Sequence, residues 1–316
     1  MTATTVPRQD PAWYTPTRLP EELTAFADSI RGGLGVGAAG KVGLLELSMA
    51  GSGGVTRVQR HFQRAPLYVY RPMYLDAGRP DMVFIFVQQS GDGLVQGDRY
   101  RIDIDCAPGS AAHIATQAAT NVFAARQNFV TQLVNLRADA GAVLEYLPDP
   151  VVPFRGSRLL QRTCLIADRA STVIFGETLL PGRVASGEAH VYDLYQAETE
   201  VRTPDGTLLF ADTLRVNPAN GANPKSIAML DTHDVIATLY LVTEQKEPTS
   251  MVALLRGELA AFPDVLVGVS ELPNRCGAVV RVLGPTSKAV KDALKTAWSA
   301  ARLALLGAPA PNLRKG

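Results

Sequence analysis

Ser90-Gly91-Asp92-Gly93-Leu94-Val95-Gln96-Gly97-Asp98-Arg99-Tyr100-Arg101-Ile102-Asp103-Ile104-Asp105 is the stretch that decides how the chain is read. From Arg99 to Asp105 polar and apolar residues alternate, so an extended strand there has one wet face and one packed face. The loop before it sets Gly91, Gly93 and Gly97 around Asp92 and Asp98, a glycine density that predicts a turn or bulge with positive φ. Beyond the strand comes Thr116-Gln117-Ala118-Ala119-Thr120-Asn121.

Working outward, strand-like segments fall near 41–49, 55–63, 66–75, 81–89, 99–106, 111–118, 128–138, 142–147, 158–167, 172–180, 189–203, 207–216, 233–243, 265–272 and 277–283. Breakers such as Gly53-Gly54, Pro108-Gly109 and Gly141 separate them. Asp205-Gly206, between two β-rich runs, is the best hairpin signal. So many strands with so few helical patterns predict a mainly β, mainly antiparallel architecture. Residues 216–224 form the most loop-like interior stretch. Pro20 to Ala27 and residues 248–261 read as helices. The clearest helix is Lys288 to Leu306, with a Thr286-Ser287 cap, a stripe of Ala289, Leu294, Trp298, Leu303 and Leu306, and a stop at Gly307 and Pro309. Residues 1–40 read as a flexible extension and 41–316 as a single β domain.

The whole chain has 316 residues, 47% hydrophobic and 19% charged, which is a globular composition. Lys and Arg number 31 against 30 Asp and Glu, so no basic field is available for nucleic acid or an anionic membrane. The longest bare apolar run, Met82 to Val87, is far short of the roughly 20 residues that span a bilayer. The N-terminal residues lack the pattern of a secretory signal. Cys106, Cys164 and Cys276 lie far apart and read as reduced residues of a cytoplasmic protein. His61, His113, His190 and His233 are scattered, with no H-x-H or H-E-x-x-H pair. Gly35 to Lys41 nearly matches a P-loop. It is rejected, because Val42 stands where a Ser or Thr is needed and the loop runs into a strand.

Three stretches concentrate acids, glycines and prolines: the opening loop with Asp92 and Asp98, Glu145 to Phe154, and Gly176 to Glu188. Glu145 and Glu177 stand in apolar strand contexts where a charge is costly unless paired or wetted. Each reads as metal-handling, as an acid or base, or as one half of an ion pair with an arginine such as Arg183; Arg155, Arg158 and Arg162 are nearby partners. A β-rich hydrolase using Glu145 and Glu177 as paired carboxylates is the alternative from another class. No serine-hydrolase elbow, zincin helix or Cys–His pairing supports other hydrolytic chemistry.

The chain resembles the urease accessory protein UreD family, also called UreH. The resemblance rests on Arg64-Ala65-Pro66-Leu67-Tyr68-Val69-Tyr70-Arg71-Pro72, the Gly91–Asp98 loop, Thr116 to Thr120, Gly141 to Pro148, Pro153-Phe154, Arg158 with Gln161-Arg162-Thr163, Glu177 with Gly182-Arg183 and Gly187-Glu188, and the Arg-bearing helix Trp298 to Gly307. It covers roughly residues 41 to 310. What it implies is a non-enzymatic scaffold with stacked antiparallel and mixed strands in a β-helix-like arrangement and a few helices. It also implies UreF-like and UreG-like partners, urease apoprotein as client, and transient Ni2+ as cargo with no tightly bound cofactor. On that reading Asp98, Thr120, Glu145 and Glu177 line the ion path, and Arg183 and Glu188 hold local structure. A scaffold that recruits partners without touching nickel is a further alternative.

Overall fold

The computed structural model describes Arg8, residues 10–26 and residues 41–313. In order, the strands are β1 (Val42–Ser52), β2 (Val55–Arg64), β3 (Leu67–Val69), β4 (Val83–Gln89), β5 (Arg99–Cys106), β6 (Ala111–Gln117), β7 (Thr120–Val122), β8 (Val130–Ala138) and β9 (Val143–Tyr146). They continue as β10 (Val151–Pro153), β11 (Arg158–Ala167), β12 (Thr172–Leu179), β13 (Leu194–Arg202), β14 (Leu208–Val216), β15 (Val235–Thr243), β16 (Leu266–Glu271) and β17 (Gly277–Gly284). The helices are α1 (Glu21–Thr24), α2 (Pro248–Leu259) and α3 (Ser287–Leu306).

Two sheets share these strands. The first runs β14-β13-β11-β8-β5-β1-β2 and the second β16-β17-β15-β12-β9-β6-β4-β3. Between β4 and β13 the main strands alternate from sheet to sheet, β5, β8 and β11 in one and β6, β9 and β12 in the other, so the chain coils. Within each sheet the stacked strands are parallel. The antiparallel pairing expected from the sequence is confined to the ends, at β1–β2, β3–β4, β13–β14, β12–β15 and the β15–β17–β16 group. Strand signals alone do not distinguish the two, because a parallel coil needs no intervening helix when its crossover is another strand.

The coils are closed on one side by four-residue corners, 107–110, 139–142 and 168–171, that stack on each other. Gly109 N donates to Ala140 O at 3.0 Å and Gly141 N to Ala170 O at 3.2 Å. Gly109 and Gly141 adopt φ of 68° and 70°, which glycine reaches without strain. The opposite side carries the long loops, including the opening stretch. There Gly91, Gly93 and Gly97 all have positive φ, as read from the sequence. A Cβ on Gly93 would sit 2.5 Å from the Asn121 carbonyl oxygen, so only glycine lets the two loops touch.

Alternation puts Ile102, Ile104, Val134, Leu136, Leu159 and Leu165 of the first sheet against Ile114, Leu144, Val173 and Phe175 of the second. Complete burial of each such side chain stabilises the fold by about 1.5–3 kcal/mol. The outer face of the second sheet, with Ile174, Leu239, Leu241, Val280 and Val282, is covered by α2 and α3. Thr286 caps α3 by accepting from Ala289 N at 3.2 Å, and Gly307, at φ 71°, ends it. Its buried face is Val290, Ala293, Ala297, Trp298, Ala301 and Arg302, whereas Leu303, placed in the apolar stripe by sequence, is 58% exposed. Ala293, Ala297 and Ala301, spaced four apart, bring the helix close to the sheet, and large residues alone misplace the stripe.

Asp205-Gly206 does form a hairpin corner, between β13 and β14. The expected strand at 66–75 shrinks to β3, and the short β7 and β10 were not anticipated. Within residues 10–26, Tyr14 is buried against Val42 and Leu44, and Leu23 against Phe129, Leu160 and Leu194. These apolar side chains each find a slot on the coil, which composition does not reveal. Gly35 to Gly40 lie outside the described residues. No helix among the described residues is long and apolar enough to cross a membrane.

Candidate functional site

Strand parity separates the two glutamates singled out by sequence. In the parallel pair β9–β12, Glu145 stands opposite Ile174. Ile174 belongs to the outer core beneath the helices, whereas Phe175 and Leu179 belong to the core between the sheets. Glu177 has the parity of Phe175 and Leu179, so its side chain turns inward while that of Glu145 turns outward. The two carboxylates therefore do not flank a common bond, and the paired-carboxylate arrangement weighed from sequence is not formed.

Glu145 is completely buried under α3. Arg302 Nη1 donates to both its oxygens at 3.1 Å, Nη2 of the same guanidinium reaches Asp76, and His113 Nδ1 lies 2.7 Å from Glu145 Oε2. His113 is sandwiched between Phe84 and Trp298, with ring centroids 4.9 and 5.3 Å away. One permanent cation, Arg302, is shared by the two carboxylates, and the His113 ring is hydrogen-bonded to one of them; these partners are what make the burial tolerable. The partners are thus Arg302 and His113, not Arg183, Arg155, Arg158 or Arg162, the arginines that sequence proximity suggests. Arg302 follows Trp298 by four residues on the alanine face of α3, and that spacing was the available signal.

Glu177 meets different company. Gln161 Nε2 donates to its Oε2 at 3.4 Å, and the Tyr195 hydroxyl, the Asp212 carboxylate and the Arg281 guanidinium act on it. Burial, then repulsion by Asp212, push its carboxyl up to about 7, against the pull of Arg281 and of Tyr195. Asp212 is pushed up by burial but held below the usual carboxylate range on balance, by hydrogen bonds from Arg281 and from the Tyr240 hydroxyl at 2.7 Å.

Polar side chains continue from Glu177 between the sheets. Gln161 is the register partner of Gln132 in the parallel pair β8–β11, and such neighbours lie about 4.8 Å apart. Gln132 in turn lines a cavity of about 70 Å³ with Thr116, Thr120, Asp92 and Gly93. A single polar row thus runs from the glycine-rich loop, through Thr116, Gln132 and Gln161, to Glu177 and the Asp212–Arg281 pair. Gln132, Tyr195, Asp212 and Arg281 carried no signal in sequence, because one inward polar residue in an apolar strand looks like any other.

Thr120 opens β7, and its amide donates to Pro150 O at 2.9 Å while the residue lines the small cavity. Asp98 is buried outside that cavity and accepts from Lys41 N at 2.8 Å and Val95 N at 3.0 Å; burial pushes its carboxyl up against those donors. Arg99 beside it clamps the loop to Asn128 and Phe129. Arg183 and Glu188 form a two-bonded ion pair at 2.9 and 2.6 Å, with the guanidinium over Phe154. The three cysteines are free thiols. Among the described residues no three His, Cys, Asp or Glu side chains are gathered as a metal cluster.

A coil of two parallel sheets, closed by tight corners on one side and enclosing a polar row, defines a β-solenoid scaffold. The model of the UreD urease accessory protein family matches residues 41–316, and the chain belongs to that family. It is 40% identical to urease accessory protein UreD 2 of Streptomyces griseus over 89% of this chain and 96% of that protein. Identity to urease accessory protein UreD of Cenarchaeum symbiosum is 33% over 90% of this chain and 99% of that protein. For urease accessory protein UreD 2 of Brucella suis the figures are 32%, 88% and 93%.

Proposed function

We propose that this urease accessory protein is a non-catalytic maturation scaffold that binds UreF-like and UreG-like proteins and urease apoprotein, and passes Ni2+ toward the urease active site along its interior. The observation that carries the reading is the polar row between the sheets. Amide and hydroxyl oxygens with one titratable carboxylate hold a divalent ion weakly at several successive places, which suits passage rather than storage. Thr120 lies at the loop end of the row and Glu177 is its charged station. With its carboxyl raised to about 7, Glu177 carries a proton for much of the time near neutrality, and an arriving cation displaces it. Asp98 and Glu145, engaged by backbone amides and by Arg302, keep the walls of the path in place.

The test is urease activation at limiting nickel in cells carrying the cognate urease subunits and the other accessory proteins. Glu177→Gln is expected to lower activation while the purified variant melts at or above the wild-type temperature and still co-purifies with the UreF-like partner. Full activation by Glu177→Gln and by Gln132→Leu alike would sink the internal path and leave a scaffold that never touches the ion.

A further inference from the structure

The polar row uses the inner face of the second sheet; the outer face holds a cavity that the nickel reading leaves without a role. It lies between that sheet and α3, measures about 260 Å³, and is bounded by Leu147, Leu239, Leu294, Leu313 and Trp298. That volume is just below the roughly 300–1,000 Å³ of drug-sized ligand pockets, room for a smaller molecule, and the lining surface is mostly apolar with a few polar groups, as in ligand sites. Lys291 and Lys295 stand exposed at its rim. One helical turn separates them, so they present two like charges on one face, an arrangement that destabilises a helix until an anion lies between them. Glu177 is also among the lining residues, although its strand parity turns the side chain toward the inner face of the sheet. At the base, the buried ring nitrogens His113 Nε2 and Trp298 Nε1 have no hydrogen-bond partner among the described residues. His113 Nδ1 is turned to Glu145, which fixes the ring and leaves its other nitrogen beside the cavity.

We infer that this cavity binds a small amphipathic carboxylate, its apolar body against Leu239, Leu294 and Trp298 and its carboxylate between Lys291 and Lys295. Apolar walls select the body and the lysine pair selects the sign of the charge. An amine of the same length meets the same walls but a repelling rim.

Octanoate is the probe, titrated into the full chain by calorimetry. A parallel fluorescence titration uses Trp13→Phe, which leaves Trp298 as the sole tryptophan. Saturable octanoate binding with a change in Trp298 emission is expected. In Lys291→Glu/Lys295→Glu the affinity should fall roughly tenfold or more, and it should be retained in Lys291→Arg/Lys295→Arg. Both lysines are exposed, so these variants should fold. The inference is overturned by an absence of saturable binding, by equal binding of octylamine, or by an affinity indifferent to charge reversal. None of these readouts depends on urease activation, so this site and the ion path fail separately.

Discussion

Glu145 and Glu177 are carried by β9 and β12, neighbouring strands of one sheet, and face opposite sides of it. Glu145 meets a permanent cation, Arg302, with His113 and Asp76 completing a closed set. Glu177 meets amides, phenols and another acid, and Arg281 close to it is already committed to Asp212. Chemically identical groups therefore have different work. The first, bonded to Arg302, pins α3 onto the coil, and the second, its carboxyl raised by burial and by Asp212, stands in the interior. Sequence context cannot separate them, because both sit in apolar strands; parity and the identity of the distant partner do.

The comparison breaks most visibly at Arg302. Arg302→Ala leaves Glu145 and Asp76 buried without their cation and is expected to cost about 3–5 kcal/mol in urea denaturation. A loss under about 1 kcal/mol would mean that the cluster is not what fastens α3. Asp98→Ala comes next, since it strands the amides of Lys41 and Val95, with an expected cost of about 1–3 kcal/mol in the same measurement.

Glu177 responds in the opposite direction. Its carboxyl is raised from the usual 4.5 to about 7, so the folded chain keeps a proton that the unfolded chain has lost. The stabilising contribution is complete below about pH 4.5 and is lost as pH rises to about 7, amounting to at most ~3 kcal/mol. Denaturation midpoints of wild type and Glu177→Gln should diverge across that window and run parallel above it, with the variant the more stable at pH 8. Parallel curves throughout would show that Glu177 does not titrate there. The smallest effect is at Gln161→Leu, where an inward amide is exchanged for a side chain of similar size. Stability should shift by no more than about 1.5 kcal/mol while nickel-limited urease activation falls; unchanged activation would remove Gln161 from the path.

The β class, most strands, the glycine-loop backbone, the Asp205–Gly206 corner and the C-terminal helix were legible in the sequence, since each is written in local periodicity or turn chemistry. The β-helix-like stack followed from the family resemblance, but the parallel direction of its strands was not legible, because pairing direction depends on which strands stack across some thirty intervening residues. The site was legible only in part. Glu177 and Thr120 stood out from their surroundings, but Gln132 and Gln161 become neighbours only through the β8–β11 register. Arg302 lies 157 residues from Glu145 in sequence, so nothing short-range announces their pairing.

The reversal of strand direction at the ends has a consequence for what the coil avoids. A parallel stack offers at each end an edge onto which another copy of the same coil can be laid, and repetition of that step builds a fibre. Here β2 and β14 in one sheet, and β3 and β16 in the other, run against their neighbours. The outermost strand β2 also carries Arg57, Arg60 and Arg64, so two such edges repel when they meet. The length of the coil is thereby set within a single chain, and its edges discourage it from templating another.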